Sequence, residues 1–381
     1  MKSAALLLVL LAVACVPTGD FDGGTAGGAA GGGSAGGMAG PPDASTGWNI
    51  ALYAGSGMRG AVDGPPGTAR FDDPRGLALD SSGNLYVADR GNRAIRKVDP
   101  QGNVTTLPGR FYGPDGVAVT AGGEVIVADT QDQCLWRIVG GAVTRYAGHC
   151  RAGDAGYLQC IDIDALAVGD VFDVTFGAPS GMAIDHDAGV LLIADERQRT
   201  LRFKPLSRGW VGTLAGKEGY MGQSNGACGP NYCCGATAIG FPFICYEHNA
   251  TFREPASVAV APNGDVWVAD RENCAVRRLE SPHTAMCSVS TPVSDPQCGA
   301  GESAVNAPSG VAVAPDGEVY VSDTANQRVV RLDLTAPPLR RIRNVTRMGW
   351  VSNPWGLVAG SDGRLFVVDN GTNSIRVLTR E

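Results

Sequence analysis

Six copies of one short pattern follow each other after residue 73, and they restrict the fold more than any other feature of the chain. Each copy begins with Pro-x-Gly, continues with alternating apolar residues and a glycine turn, and ends in an apolar run closed by aspartate. Only the fourth copy departs from this start, with Ser257 in place of the glycine. The prolines that start successive copies are 40 to 76 residues apart. A pattern that recurs at such spacing indicates a stack of repeated supersecondary units. The prolines are Pro74, Pro114, Pro179, Pro255, Pro308 and Pro354, and the closing aspartates are Asp89, Asp129, Asp195, Asp270, Asp323 and Asp369.

Each copy predicts four β-strands. In the first copy these span residues 77–80, 85–88, 94–98 and 104–107. The second strands are apolar at nearly every position, which is typical of strands covered on both faces. In a β-propeller each sheet packs between two neighbouring sheets, and those neighbours provide the cover. The predicted fold class is therefore all-β, a six-bladed β-propeller of four-stranded blades.

The two ends of the repeat region predict how the ring closes. The last copy ends after its third strand, at residues 375–378, and residues 49–55 match the fourth strands of other copies. We expect the N-terminal strand to complete the last blade, because this pairing removes two exposed sheet edges.

The segments 74–80 and 86–93 resemble the NHL-repeat family of β-propellers, and the resemblance extends over residues 48–381 with insertions. It implies a protein- or ligand-binding scaffold, since propellers of this family commonly bind proteins. The related gluconolactonase-like propellers share much of the pattern and hold one divalent cation in the channel. A metal-dependent hydrolase or lactonase is therefore the alternative. No complete catalytic set is visible, so no catalytic residue is assigned and enzymatic activity is not favoured.

The N-terminal residues predict export rather than a folded domain. Lys2 precedes a short apolar core, and residues 11–15 resemble the lipobox of bacterial lipoproteins, which implies cleavage before Cys15 and its lipidation. An ordinary secretory signal cleaved after Ala14 is the alternative. Residues 1–14 are thus interpreted as a signal peptide and 15–47 as a flexible Gly-rich tether. We expect an exported lipoprotein of the cell envelope, at the outer membrane or cell surface, held to the membrane by its lipid alone.

Composition excludes some partners. The net charge is −7, which argues against nucleic acid, because such partners require a basic surface. Apolar residues make up 44% of the chain, enough for a sizeable core. We expect a monomer whose partner is a protein or a small polar ligand.

Eleven cysteines favour an oxidising compartment. Apart from Cys15, they lie outside the repeated motif, and none has the spacing of a zinc ribbon. Local pairing predicts Cys150–Cys160 and Cys287–Cys298. Three insertions, near 149–175, 217–250 and 281–305, carry most of the cysteines and are predicted to share one face of the propeller. The disulfide candidates are Cys134, Cys150, Cys160, Cys228, Cys233, Cys234, Cys245, Cys274, Cys287 and Cys298.

Two positions of each copy are predicted to lie at the channel mouth on that same face. They are the residue between proline and glycine, and the residue after the closing aspartate. An arginine, a carboxylate and an indole brought together there suit polar ligands or peptides. A surface Arg–Asp pair beside a packed tryptophan is the purely structural interpretation. The predicted binding residues are Arg75, Asp115, Trp355, Arg90, Arg271 and Asn370.

No metal site is assigned from the sequence. The closing aspartates recur in every copy, which favours a structural role as acceptors for backbone N–H groups of the next turn. Asn92, Asn273 and Asn326 are predicted to support that turn. Calcium is the one cofactor left open. Asp162 and Asp164 begin like a calcium loop, although the sequence does not complete one.

Overall fold

A computed structural model describes residues 47–150, 174–207, 211–216, 250–280, 288–294, 298, 304–337 and 341–381. These residues form six antiparallel sheets of four strands each. The predicted six-bladed, all-β propeller is therefore confirmed. Within the described residues no helix is long and apolar enough to span a membrane.

The strands, numbered in chain order, group into blades. Blade 1 contains β2 (Pro74–Leu79), β3 (Leu85–Asp89), β4 (Ala94–Val98) and β5 (Val104–Thr106). Blade 2 contains β6 (Pro114–Val119), β7 (Val125–Asp129), β8 (Cys134–Val139) and β9 (Ala142–Ala147). Blade 3 contains β10 (Pro179–Asp185), β11 (Val190–Asp195), β12 (Thr200–Pro205) and β13 (Gly212–Ala215).

The second half of the ring repeats this order. Blade 4 contains β14 (Pro255–Val260), β15 (Val266–Asp270), β16 (Ala275–Glu280) and β17 (Ser288–Ser294). Blade 5 contains β18 (Pro308–Val313), β19 (Val319–Asp323), β20 (Arg328–Leu332) and β21 (Ile342–Asn344). Blade 6 contains β22 (Pro354–Ala359), β23 (Leu365–Asp369), β24 (Ser374–Arg380) and β1 (Trp48–Ala54).

The predicted closure of the ring is confirmed. Strand β1 pairs antiparallel with β24, and Trp48 lies opposite Arg380. The first strand of each blade contacts the first strands of its two neighbours, and β22 contacts β2 in the same way. The innermost strands therefore form a complete ring, and residues from all six of them line the central channel.

The Pro-x-Gly sequence reflects close packing between blades. In every blade the register shifts just after the proline, as in a β-bulge, where a missing N–H is tolerated. A Cβ at Gly116 would lie 1.8 Å from the Ser180 carbonyl oxygen, and one at Gly310 would lie 2.2 Å from that of Trp355. Glycine is therefore required for neighbouring inner strands to approach. At the exceptional position, the Ser257 hydroxyl accepts a hydrogen bond from the Val311 N–H of the next blade.

The core is divided among the blade interfaces. All residues of the second strands β3, β7, β11, β15, β19 and β23 are buried. Their side chains alternate between the two neighbouring blades, so that Leu191 and Leu192 belong to different apolar clusters. Each such side chain contributes roughly 1.5–3 kcal/mol on burial, which explains why these strands lack polar alternation.

Candidate functional site

The closing aspartates are structural, as predicted, and most of their backbone donors lie in a loop that the prediction did not include. Asp129 accepts from the N–H groups of Tyr112 and Gly113, which precede the first strand of the same blade. Asp89, Asp195, Asp270, Asp323 and Asp369 accept from the equivalent loop of their own blades. The predicted donors of the following turn are also present, as Asp132 N–H to Asp129 and Gln198 N–H to Asp195, but these bonds are longer than those from the preceding loop. Antiparallel register explains this, because each repeat's proline lies opposite its aspartate, and the loop before the proline is the nearest backbone.

Buried side chains complete these aspartate clusters. The amides of Asn92, Asn273 and Asn326 donate to the aspartate three residues earlier, as predicted. In blade 4 the fully buried Arg277 pairs with Asp270 at 3.3 Å. Such clusters hold the loops of one face in place. We call this face, which carries the loops before the first strands and the turns after the second strands, the proline face.

Four predicted binding residues are concentrated between blades 6, 1 and 2 on the proline face. Arg90 Nε lies 2.8 Å from one oxygen of Asp115, and Arg75 lies 3.5 Å from the other. Both arginines also contact Asp73. Burial raises the pKa of Asp115, against the opposing charges of Arg75 and Arg90. Asn370 donates to Asp73 and to the Pro74 carbonyl, so it supports this network from blade 6.

Trp355 lies beneath two guanidinium groups. The Arg75 guanidinium carbon is 4.3 Å from the indole centroid, and that of Arg271 is 5.0 Å from it. The electron-rich face of an indole attracts cations, which stabilises both arginines close to each other. The structure thus brings Trp355, Arg75 and Asp115 together, as the repeat register predicted, and adds Arg271 from blade 4.

A second cluster lies on blades 3 and 4. Arg271 forms an ion pair with Glu254 through two nitrogens, and its terminal nitrogen lies 3.8 Å from Glu196. Burial raises the pKa of Glu196 to about 7, and the nearby Glu254 and Asp115 carboxylates add to the effect against Arg271. Glu196 therefore changes charge near neutral pH.

These clusters line one cavity of about 930 Å³ on the proline face. Four blades contribute to it, and eleven of its sixteen lining residues are charged. Arg75, Arg90, Asp115 and Arg271 line it, whereas Trp355 lines the channel below and Asn370 lines neither. Asp115 and Glu196 line both spaces and mark the channel mouth. The charged lining residues are Arg75, Arg90, Asp115, Asp132, Glu196, Arg197, Arg199, Arg253, Glu254, Arg271 and Glu272.

Several residues of the two clusters and of the cavity are absent from the predicted site. Asp73 and Glu254 occupy the position before the repeat proline, a third position of the same register that could have identified them. Glu196 occupies the predicted position after the closing aspartate. Arg197 and Arg199 lie in the β11–β12 turn, which no repeat position singled out.

Two disulfides lie on the proline face, and they correct both predicted local pairs. Cys150 is bonded to Cys134 and not to Cys160, and Cys298 is bonded to Cys274 and not to Cys287. Hairpin register explains this choice. Leu135 pairs with Ala147 and Ala275 with Ser294, so a cysteine at the start of a third strand lies beside the chain leaving the fourth.

The remaining cysteine candidates, Cys160, Cys228, Cys233, Cys234, Cys245 and Cys287, lie outside the described residues. So do most of the three insertions, the aspartates considered for calcium, and residues 1–46 with the lipidation candidate Cys15. Within the part of the chain that the structure describes, one group has metal-ligand geometry, formed by Asp132, Cys134 and Cys150. Its two sulfurs are joined in a disulfide, so they do not act as thiolate ligands.

Comparison with known proteins identifies the family. The model of the NHL repeat matches residues 71–98, 111–138, 252–279, 306–332 and 352–378. These stretches cover the first three strands of blades 1, 2, 4, 5 and 6 and leave out the fourth strand of each. In blade 3 the proline and the closing aspartate are 16 positions apart, against 15 in the other copies. The chain is an NHL-repeat propeller with six four-stranded blades.

Among curated proteins, the chain is similar to SUPPRESSOR OF QUENCHING 1, a chloroplastic protein of Arabidopsis thaliana. The two are 26% identical over 303 residues, which covers 75% of this chain and 27% of the relative. The chain thus spans about a quarter of that protein's length.

Two solved structures share the fold. An auxiliary nutrient binding protein of Bacteroides ovatus is 10% identical, with a TM-score of 0.60, and the match covers 88% of this chain and 77% of that one. A gluconolactonase of Xanthomonas campestris is 12% identical, with a TM-score of 0.56, covering 88% and 90%. At this identity the similarity shows the fold alone.

Proposed function

We propose that the chain is a binding propeller that holds a polar, charged ligand, either a small molecule or a segment of a protein, in the cavity of the proline face. The observation that carries the proposal is the cavity of about 930 Å³ whose charged side chains come from four blades. Such a volume lies near the upper end of the range for ligand sites.

Preorganisation supports a binding role. Asp115 holds Arg75 and Arg90, and Glu254 holds Arg271, before any ligand arrives. The Trp355 ring fixes Arg75 and Arg271 from below. Side chains ordered in advance lose less conformational entropy on binding, which increases affinity.

The two disulfides support the same face. Cys134–Cys150 and Cys274–Cys298 fasten the chain that leaves β9 and β17, and both bridges lie beside the cavity blades. A bridge that closes a loop restricts the alternatives open to that loop. The cavity wall is therefore braced on blades 2 and 4.

Similarity in fold to a nutrient binding protein is compatible with this proposal, and similarity to a gluconolactonase motivates the hydrolase alternative. Such an enzyme needs a set of oxygen or nitrogen ligands for its cation. Within the described residues the one group of metal-ligand geometry is the disulfide-containing group of Asp132. We therefore propose binding as the function, and hydrolysis is the alternative that an activity assay would test.

We further propose that the propeller is displayed at the bacterial cell envelope by lipid on Cys15. The support is the lipobox-like sequence at residues 11–15 and the Gly-rich segment that follows it. Cell fractionation of a Cys15→Ser variant tests this location. Loss of membrane association with loss of acyl labelling is expected, and unchanged membrane retention would contradict it.

The binding function is tested by screening the full chain against a defined library of charged metabolites and peptides, using thermal shift and then calorimetry. Hits are titrated against Arg75→Ala, Arg271→Ala and Trp355→Ala. We expect affinity to fall at least about tenfold for each arginine, because buried arginine and tryptophan side chains dominate binding sites.

Matched controls lie far from the cavity. Arg364 belongs to the turn between β22 and β23 at the opposite face, and Arg343 lies on the outer strand β21. Arg343→Ala and Arg364→Ala are expected to leave affinity unchanged. A ligand whose affinity falls only with these control variants would place the site on another surface.

A further inference from the structure

The β11–β12 turn of blade 3 carries both signs of charge within four residues. Glu196 lies at the channel mouth, and Arg197 and Arg199 line the cavity beside it. Arg197 is exposed and Arg199 is half-buried. No other wall of the cavity presents one carboxylate and two guanidinium groups from a single turn among the described residues.

These three side chains differ from the other charged groups of the cavity in their partners. Arg75 and Arg90 pair with Asp73 and Asp115, and Arg271 pairs with Glu254. On the rim, Arg253 pairs with Glu272 at 3.2 Å. The charged side chains of those walls therefore have partners of opposite charge within the protein.

The charged side chains of the β11–β12 turn in blade 3 are not paired in this way. Within the described part of the chain, no ion pair or hydrogen bond involves the side chain of Arg197 or Arg199. The Glu196 carboxylate has a 3.8 Å ion pair with Arg271, whose hydrogen bonds go to Glu254. Among the described residues this carboxylate accepts no hydrogen bond, and its side chain is 17% exposed, so water is the donor that a ligand would replace.

A ligand with complementary charges would supply the missing partners. An ammonium group at Glu196 would donate the hydrogen bonds that this carboxylate lacks. A carboxylate at Arg197 and Arg199 would accept from two guanidinium groups, a strong and geometrically selective arrangement. Since Glu196 lies at the channel mouth and Arg197 is exposed, the ammonium end would lie deeper than the carboxylate end.

We propose that this turn recognises an amphoteric ligand, one with an ammonium and a carboxylate group, as found in free amino acids and in short peptides with free termini. The inference rests on the proposed binding function and specifies its ligand class. Both sources share this chemistry. The cavity of about 930 Å³ has room for several residues, so a short peptide fills it better than one amino acid.

The test uses the full chain and four probes: a mixed tripeptide library with free termini, its N-acetylated form, its C-amidated form, and a mixture of free amino acids. Binding is measured by thermal shift and competition calorimetry. We expect the free-termini library to bind about tenfold or more tightly than either capped form. Preference for the amino-acid mixture would assign the smaller source.

Variants assign each end of the ligand. Glu196→Gln should abolish the preference for the free amine over the N-acetylated form. It should leave the preference for the free carboxylate over the C-amidated form unchanged, because both of those forms carry the free amine. Arg197→Gln combined with Arg199→Gln should abolish the preference for the free carboxylate over the amide. Arg343→Gln is the matched control and should leave both preferences intact.

Equal binding of free and N-acetylated peptides by the unaltered chain would overturn the ammonium assignment, and equal binding of free and amidated peptides would overturn the carboxylate assignment. If none of the four probes binds at millimolar concentration, the amphoteric class is wrong. A different charged ligand that still depends on Arg75 and Arg271 would then leave the proposed binding function standing.

Discussion

Two adjacent positions in each blade have opposite roles. The closing aspartate has the same identity in all six blades, is buried, and accepts hydrogen bonds from its own blade's loop. The next residue differs from blade to blade. In blades 2, 5 and 6 it is Thr130, Thr324 or Asn370, each of which donates to the proline carbonyl of the following blade.

In blades 1, 3 and 4 that next residue is charged and lines the cavity, as Arg90, Glu196 and Arg271. The backbone position is the same in all six blades, but three of these residues fasten the ring and three place charges in the candidate site. Thr130 does the first and also lines the cavity. Repetition within one chain therefore marks what the fold needs. Departure from the repeat marks where a ligand site can be built.

The largest expected loss of stability comes from replacing a closing aspartate rather than the residue that follows it. Asp270→Ala removes the partner of the fully buried Arg277, with which it forms a 3.3 Å ion pair. An uncompensated buried charge costs about 3–5 kcal/mol, so the free energy of unfolding should fall by that amount in chemical denaturation. The adjacent Arg271→Ala should cost less than this, because its side chain is 20% exposed and water can solvate the Glu254 and Glu196 carboxylates that it leaves. Similar losses for the two variants would erase the distinction between the positions.

The next effect depends on pH and concerns Glu196. Its pKa of about 7 lies above the ordinary value of 4.5, so the folded chain keeps a proton that the unfolded chain has lost. Stability from this group is fully present below about pH 4.5 and is lost as pH rises through 7. Glu196→Gln should therefore match the unaltered chain at pH 4.5 and exceed it at pH 8.5, by at most about 3 kcal/mol.

Denaturation at the two pH values measures this difference. Glu254→Gln is the companion variant, because Glu254 is the carboxylate that hydrogen-bonds Arg271. This variant relieves part of the repulsion on Glu196, but it also removes the Arg271 ion pair, so it should not be more stable than the unaltered chain at pH 8.5. A Glu196→Gln variant that shows no pH-dependent gain would mean that the carboxylate is better solvated than its position indicates.

The smallest effect tests a position that fastens the ring. Thr324→Val removes the buried hydrogen bond of 2.7 Å from the hydroxyl to the Pro354 carbonyl. Loss of one such bond costs about 1 kcal/mol, which should appear as a modest fall in melting temperature. Ligand affinity should not change, because Thr324 is not among the residues that line the cavity. A marked loss of affinity without a stability change would extend the site to blade 5.

Much of the fold could be predicted from the sequence because its signals are local. Pro-x-Gly, the apolar second strands and the closing aspartates recur six times, and each has a short-range physical cause. The match of residues 49–55 to the fourth strands identified ring closure. The predicted partner of Cys150 is wrong because the hairpin register between β8 and β9, and not separation along the chain, brings Cys134 beside it.

The candidate site was predicted only in part. Repeat register identified Arg75, Arg90, Asp115 and Arg271 as residues of one face, and all four line the cavity. It also selected Asn370, which instead supports Asp73 and the neighbouring blade. Register determines which face a residue occupies, but it does not show which of the six blades surround a common space.

The sequence by itself determined the number of blades, their strand order, the closure of the ring and the structural role of the aspartates. All of these depend on short local patterns or on the repetition of such patterns along the chain. Only the tertiary structure decided that the cavity lies over blades 1 to 4, that Trp355 supports two arginines, and that Glu196 lies at the channel mouth 3.8 Å from Arg271. Those features join residues from blades far apart in the chain, and their charge and burial are set by neighbours that no local pattern identifies.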